Sequence, residues 1–307
     1  MALRRTHLID ASSHPSIGEN IQGPSMIRVP AWVEDRLGAI YLYFADHKGS
    51  YIRLAYADDP AGPWTVYAPG SLHLADSGFP VTPPTATDEQ MAAIEARYAR
   101  LGLLHDVRTE VTTPHIASPD VHIRGRQFVM YFHGLEGLAR QVTRRAVSHN
   151  GIDFVAEPAT LERTYLRVFD VDGATYGLAM PGQLYRLPEG RIDIAEVGPM
   201  LFEPDMRHCA VRVVPGAVEV FWTRVGDAPE RILRSVIDTT VPWTQWREGP
   251  ATEVIRPVEA WEGADEPVEP SRRSVAYGLV NQLRDPAVFE DLLLYAFGGE
   301  SGIALLH

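Results

Sequence analysis

The chain has 307 residues, 45% hydrophobic and 22% charged, with a formal net charge of −12. That length and composition suit a folded protein with a large core. The acidic balance, with no block of Lys or Arg, argues against a nucleic-acid partner, and the single cysteine, Cys209, excludes an intrachain disulfide framework.

The chain opens on MALRRTHLIDASSHPSIGEN, which has basic residues but no apolar run of signal-peptide length. No later segment reaches the roughly 18 apolar residues of a membrane span. The expectation is a cytoplasmic protein with no membrane partner. Short apolar runs follow in order: AIYLYFA, YIRLAYA, QFVMYFHG, YLRVFDV, AVRVVPG, AVEVFWTR, RILRSVI, PAVFED and LLLYAF. Each is rich in β-branched and aromatic residues and bounded by turn formers, which predicts strand after strand. One stretch, residues 86–104, places Ala, Leu, Met and Ile at helical spacing behind Thr87 as N-cap, with Glu89 in the first turn.

The strands recur as a unit. Blade 1 is expected at about 20–70, an insertion carrying the helix at about 71–114, and blade 2 at about 115–160. Blade 3 follows at about 161–200, blade 4 at about 205–250 and blade 5 at about 280–307. Five copies of a three- or four-stranded meander predict an all-β fold, a single five-bladed β-propeller domain. A two-sheet sandwich does not explain the fivefold recurrence. The fifth copy is one strand short, and the N-terminal THLIDA is the strand available to close the ring.

In such a ring the first strand of each blade lines the axis, and the strand starts meet on one face. They bring Gly23-Pro24, Ser118-Pro119-Asp120, Glu162-Arg163-Thr164, Arg207-His208 and Arg284-Asp285-Pro286 together. Loops on the same face add Asp46-His47-Lys48, His133, Arg224 and Glu300, and His115 lies beside them. A funnel of carboxylates, imidazoles and guanidinium groups is where pKa values are pushed apart.

With SPDVHIRGRQFVMYFHG and RDPAVFEDLLLYAFGGESGI on the page, the chain resembles the five-bladed propeller glycoside hydrolases: arabinanases, xylosidases, invertases and their relatives. The first motif is similar to their second blade, the second to their recurring Asp-Pro strand start. The resemblance implies three acidic residues from different blades, acting as base or nucleophile, as acid, and as a group that tunes the acid. It assigns the tuning role to Asp120 and the acid to Glu162. The first-blade Asp-Pro reads Gly23-Pro24 here, so Asp285 or Asp46 has to stand in for the base.

The expected catalytic set is Asp120, Asp285, His208 and Glu162. The expected substrate-binding set is Asp46, His47, His115, His133, Arg163, Arg207, Arg284 and Glu300. The partner is a small carbohydrate or glycoside, the default reaction hydrolysis, and no cofactor is required. The histidines leave open a divalent ion, calcium or another, in the central channel. A sugar-binding propeller without catalysis, or a lyase-type reaction on the same scaffold, remains the alternative. Each residue also has a bland reading. Asp120 and Asp285 flank prolines and can satisfy turn amides, His208 precedes a buried strand, and Trp32 and Trp261 can pack blades or stack on a sugar.

Overall fold

The apolar runs are continuous rather than alternating because each strand is covered on both faces by neighbouring sheets. In IYLYFA, for example, all six residues are buried. The structure, a computed structural model, describes residues 4–100 and 106–307. In chain order, β1 is Arg5–Asp10. Blade 1 holds β2 (Gln22–Arg28), β3 (Ile40–Ala45), β4 (Tyr51–Ala57) and β5 (Thr65–His73). After the insertion, blade 2 holds β6 (Ile116–Arg124), β7 (Gln127–Gly137), β8 (Arg140–Ser148) and β9 (Val155–Leu161). Blade 3 holds β10 (Arg167–Val171), β11 (Ala174–Ala179), β12 (Gln183–Arg186) and β13 (Glu196–Met200). Blade 4 holds β14 (Met206–Val214), β15 (Ala217–Arg224), β16 (Ile232–Asp238) and β17 (Thr252–Ile255). Blade 5 holds β18 (Arg284–Phe289), β19 (Leu292–Phe297) and β20 (Gly302–Leu306), and its fourth strand is β1.

Each blade is therefore a four-stranded antiparallel meander, and the fold is a five-bladed β-propeller. The N-terminal strand closes the ring: β1 pairs antiparallel with β20, with Ile9 opposite Ile303. Among the described residues the buried apolar side chains form five clusters, each between adjacent blades. Tyr43 and Phe128 join blades 1 and 2, and Val129 and Leu187 join blades 2 and 3. Leu184 and Trp222 join blades 3 and 4, Phe221 and Tyr295 blades 4 and 5, and Ile9 and Phe44 blades 5 and 1.

The insertion between blades 1 and 2 carries two helices, α1 (Asp88–Arg100) and α2 (Val107–Thr112). Thr87 caps α1: its hydroxyl accepts from Gln90 N at 3.2 Å, while Gln90 Oε1 accepts from Thr87 N at 2.9 Å. The expected helix end at residues 101–104 lies outside the described residues.

Ile9 is fully buried in the seam between blades 5 and 1. Ile9→Ala is expected to lower the unfolding free energy by about 2–5 kcal/mol in urea titrations. A loss below about 1 kcal/mol would mean that the closing strand contributes little to stability.

Candidate functional site at the channel mouth

The inner strands share one backbone device. Gly23, Ser118, Tyr165, His208 and Asp285 stand at corresponding places at or just before β2, β6, β10, β14 and β18. All five have left-handed backbones, with φ of 63°, 51°, 53°, 26° and 44°. Register slips at Gln22/Ser25, Ala117/Asp120, Arg207/Cys209 and Arg284/Ala287 mark a bulge at four of them. A bulge leaves a residue out of the ladder and re-aims it. Tyr165 and His208 line the cavity at this mouth, with Asp285 buried against His208.

This correspondence changes the reading of two carboxylates. Ser118, not Asp120, matches Asp285 in blade 2. Asp120 lies two residues on, where it accepts from Val168 N at 2.7 Å and meets His122 Nε2 at 2.8 Å. It ties β6 to β10 and lines the opposite mouth of the channel with Met26, Val211 and Phe289. Glu162 is 64% exposed and pairs with Arg140 on the surface. Arg163 is also exposed and sits near the Tyr185 hydroxyl. The geometry therefore does not bring Glu162 or Arg163 into the funnel, because the chain turns inward only at Tyr165. Gly23 has no room for a carboxylate: a Cβ there would lie 2.9 Å from the Ser118 Cα.

Of the remaining expected residues, His47, Arg207 and His208 line a cavity of about 200 Å³, together with Tyr165 and with Arg97 and Tyr98 of α1. Asp285 is fully buried, and its Oδ1 lies 3.1 Å from His208 Nδ1. Burial, reinforced by the nearby Glu300 charge, pushes Asp285 up to about 7 against the pull of Arg207, Arg167 and Arg284. Burial, with Arg207 and Arg284 close by, pushes His208 well below its ordinary value. Below about pH 7 the favoured form of this coupled pair is therefore a protonated carboxyl beside a neutral imidazole.

Glu300 is the opposite case. Burial opposes its charge, but His47, Arg284 and Asn20 outweigh it and hold the carboxyl well below the usual range. Arg284 Nη1 donates to Glu300 Oε1 at 2.8 Å, and Asn20 Nδ2 donates to Oε2 at 2.7 Å. His47 Nδ1 is 3.4 Å from Oε2. Arg284 Nε also lies 3.2 Å from Glu230, which Arg207 approaches at 3.6 Å. Asp46 faces away from this network, accepting from Lys48 N at 2.8 Å and meeting Arg53 at 3.4 Å.

Three rings stand in a row along the cavity wall. Tyr165 lies between His133 and His208, with centroids 4.4 Å and 4.7 Å away. His115 meets His133 edge-on at 6.2 Å and bonds the Thr113 carbonyl at 2.7 Å. Burial, with Lys48 nearby, lowers His115 to about 3, and burial beside His115 lowers His133 too. Burial, with Asp285 and Glu300 nearby, raises the Tyr165 hydroxyl strongly. Trp32 packs against Phe128, and Trp261 against His7 and Phe297, away from the cavity.

Tyr165 and Glu230 were not among the expected residues. Tyr165 reads as the lead of an apolar strand, and only its alignment with Asp285 marks it. Among the described residues no group of three or more His, Cys, Asp or Glu side chains is arranged for a metal ion. The donor chemistry is unfavourable as well: Arg207, Arg284 and Arg167 crowd the imidazoles, and a divalent cation would face their guanidinium charges. The residues present do not fit the divalent ion that the sequence left open.

Two outcomes follow from this geometry. A carboxyl raised on folding contributes stability that is complete below 3.8 and lost as pH rises through about 7. The wild type should therefore lose stability relative to Asp285→Asn across that interval, read as the difference in Tm between them. A pH-independent difference would contradict the raised pKa. Gly23→Asp should cost about 2 kcal/mol or more through strain and the Ser118 contact, measured by chemical denaturation.

No protein-family model matches the chain. Its fold is shared with solved glycoside hydrolases of family GH43 at low sequence identity. A GH43_1 enzyme from Xanthomonas citri superposes with a TM-score of 0.57 at 15% identity, covering 94% of this chain and 88% of that one. An endo-arabinanase from Bacillus licheniformis gives 0.56 at 11%, covering 94% and 93%. The β-xylosidase/α-arabinofuranosidase CoXyl43 from a compost metagenome gives 0.57 at 12%, covering 99% and 94%. In sequence, the chain is 33% identical over 316 residues to the uncharacterized protein R118 of Acanthamoeba polyphaga mimivirus, covering 93% of this chain and 82% of that protein. The chain belongs to the family of mimivirus R118, on the five-bladed propeller scaffold of the GH43 enzymes.

Proposed function

We propose that the funnel binds a small carbohydrate or glycoside and cleaves it by acid–base chemistry of the glycoside hydrolase type. One feature carries this reading: two buried carboxylates lie near each other and are pushed in opposite directions, Asp285 up to about 7 by burial and Glu300 well below the usual range by His47 and Arg284. Such a division separates acid from charge. Structural neighbours on this scaffold hold xylotriose, xylose and galactotriose, which supports a sugar as ligand.

In this reading Asp285 donates its proton to the departing glycosidic oxygen as the C–O bond breaks. The fixed charge of Glu300 stabilises the positive charge that develops on the sugar ring. His208 accepts a proton from the attacking water, whose oxygen forms the new bond to carbon. The proton then passes from His208 to Asp285 across their 3.1 Å contact, which restores the starting state. Tyr277, 71% exposed and close enough for Asp106 and Glu110 to raise its hydroxyl further than burial alone, offers an exposed aromatic face for stacking.

A second reading, elimination, is favoured by one distance. His208 and Asp285 are in contact, closer than the roughly 5–9.5 Å by which two carboxyl groups flank a glycosidic bond, and Gly23 supplies no carboxylate from blade 1. Adjacent acid and base suit removal of a proton and a leaving group from one face of a sugar.

Wild type and Asp285→Asn are to be compared on a panel of aryl glycosides and short oligosaccharides. The expected result is release by the wild type that falls as pH rises through about 7 and is reduced about 10²–10⁴-fold in the variant. An ultraviolet-absorbing unsaturated product would identify elimination. Saturable sugar binding without any release would leave a binding propeller in place of an enzyme.

A further inference from the structure

The mouth of the funnel carries positive charge that its surroundings do not cancel, on a chain whose net charge is −12. The buried charges pair off. Arg284 and Arg207 are matched by Glu300 and Glu230. Lys48 is matched by Glu110 at 3.1 Å, and Arg224 by Asp205 at 3.6 Å. Burial pushes Asp285 up to about 7, so its negative charge is lost as pH falls below that value. Two guanidinium groups lining the cavity remain, Arg273 and Arg97; neither forms an ion pair with a described residue, and the Asp205 charge acts on Arg273 only from beyond ion-pair distance.

Arg273 is also held in place. One of its Nη2 hydrogens goes to the Pro204 carbonyl, which leaves other donors of the fork free. Its segment is pinned on both sides. Ser271 N donates to Asp227 O at 3.0 Å, and Ser274 Oγ donates to Glu110 Oε2 at 2.6 Å. Arg207 Nη1 donates to the Arg272 carbonyl at 2.8 Å, which fixes a second guanidinium behind the first. Arg97, on α1, lines the same cavity. A planar fork without a carboxylate partner, on a pinned loop, is the arrangement that recognises an anionic group bidentately.

We infer that the ligand is an anionic sugar, one bearing a carboxylate or a phosphate, with its charged group on Arg273 and Arg97 and its ring toward Asp285 and His208. The inference rests on the carbohydrate reading above and adds the charge of the substrate. A carboxylate on the ring is what a uronate supplies; a phosphate on the same Arg pair would come from a sugar phosphate.

Binding, which does not depend on turnover, is the test. Calorimetric titration of wild type compares D-glucuronate with D-glucose and D-galacturonate with D-galactose, with D-glucose 6-phosphate and tartrate as further probes. The charged sugar should bind about tenfold or more tightly than its neutral twin, and the advantage should shrink as salt is raised. Arg273→Gln should bring the charged sugar down to its twin, and the exposed Arg97→Gln, which cannot disturb the core, should remove part of the advantage. Tighter binding of D-glucose 6-phosphate than of either uronate supports the inference with phosphate as the source. Neutral sugars that bind as tightly as their charged twins overturn it and leave the carbohydrate reading standing. Tartrate binding as tightly as a uronate, with no neutral sugar bound, keeps the anion site and overturns the carbohydrate reading. No saturable binding of any charged probe overturns the inference.

Discussion

The electrostatics of the funnel descend from one buried guanidinium. Arg284 is almost fully out of solvent and is shared between Glu300 and Glu230, with Gln282 Oε1 accepting from it at 2.6 Å. Removing it would take the nearest charged partner from two buried carboxylates, and breaking a buried ion pair costs about 3–5 kcal/mol. Its presence has a chemical consequence further along. Because Arg284 helps to keep Glu300 ionised, Glu300 is a standing negative charge, and that charge helps to keep the neighbouring Asp285 protonated. Burial does most to keep the acid of the site protonated, Glu300 reinforces it, and Arg284 itself pulls the other way.

Geometry comes from a different source. The five inner strands each present one residue in a left-handed backbone, and the ring brings the five together whatever their side chains are. A scaffold of this kind separates shape from chemistry. The same five places here hold glycine, serine, tyrosine, histidine and aspartate. Blades 1 and 2 approach so closely at Gly23 and Ser118 that the chemistry is displaced toward blades 3, 4 and 5.

Much of this was legible in the amino-acid sequence. Strands buried on both faces appear as unbroken apolar runs such as IYLYFA and LLLYAF, and the missing strand of the last copy pointed to the N-terminus. His208, Arg207, Arg284, Asp285, His47 and Glu300 could be placed near one another because strand starts and loops mark the mouth of a propeller. The failures share a cause. A bulge shifts register by a residue or two without any sign in composition, so Asp120 was put where Ser118 stands. Glu162 precedes the inward turn that begins at Tyr165, and a tyrosine before an apolar strand looks like core. Glu230 reaches the network through a bridge to Gln282, fifty-two positions away, which no local pattern announces.

The closing strand has a bearing on the order of assembly. Residues 5–10 pair with residues 302–306, so this contact closes the longest loop in the chain and carries a correspondingly large entropic cost. Blades 1 to 4 are built from near neighbours in sequence and can form before it. Blade 5, which the seam completes, is also the blade that supplies Arg284, Asp285 and Glu300. A chain whose ring is still open lacks only the outermost strand of the blade that holds its charged centre. The contact that closes the longest loop thus borders the blade that carries the charged centre, so seam and site share one sheet.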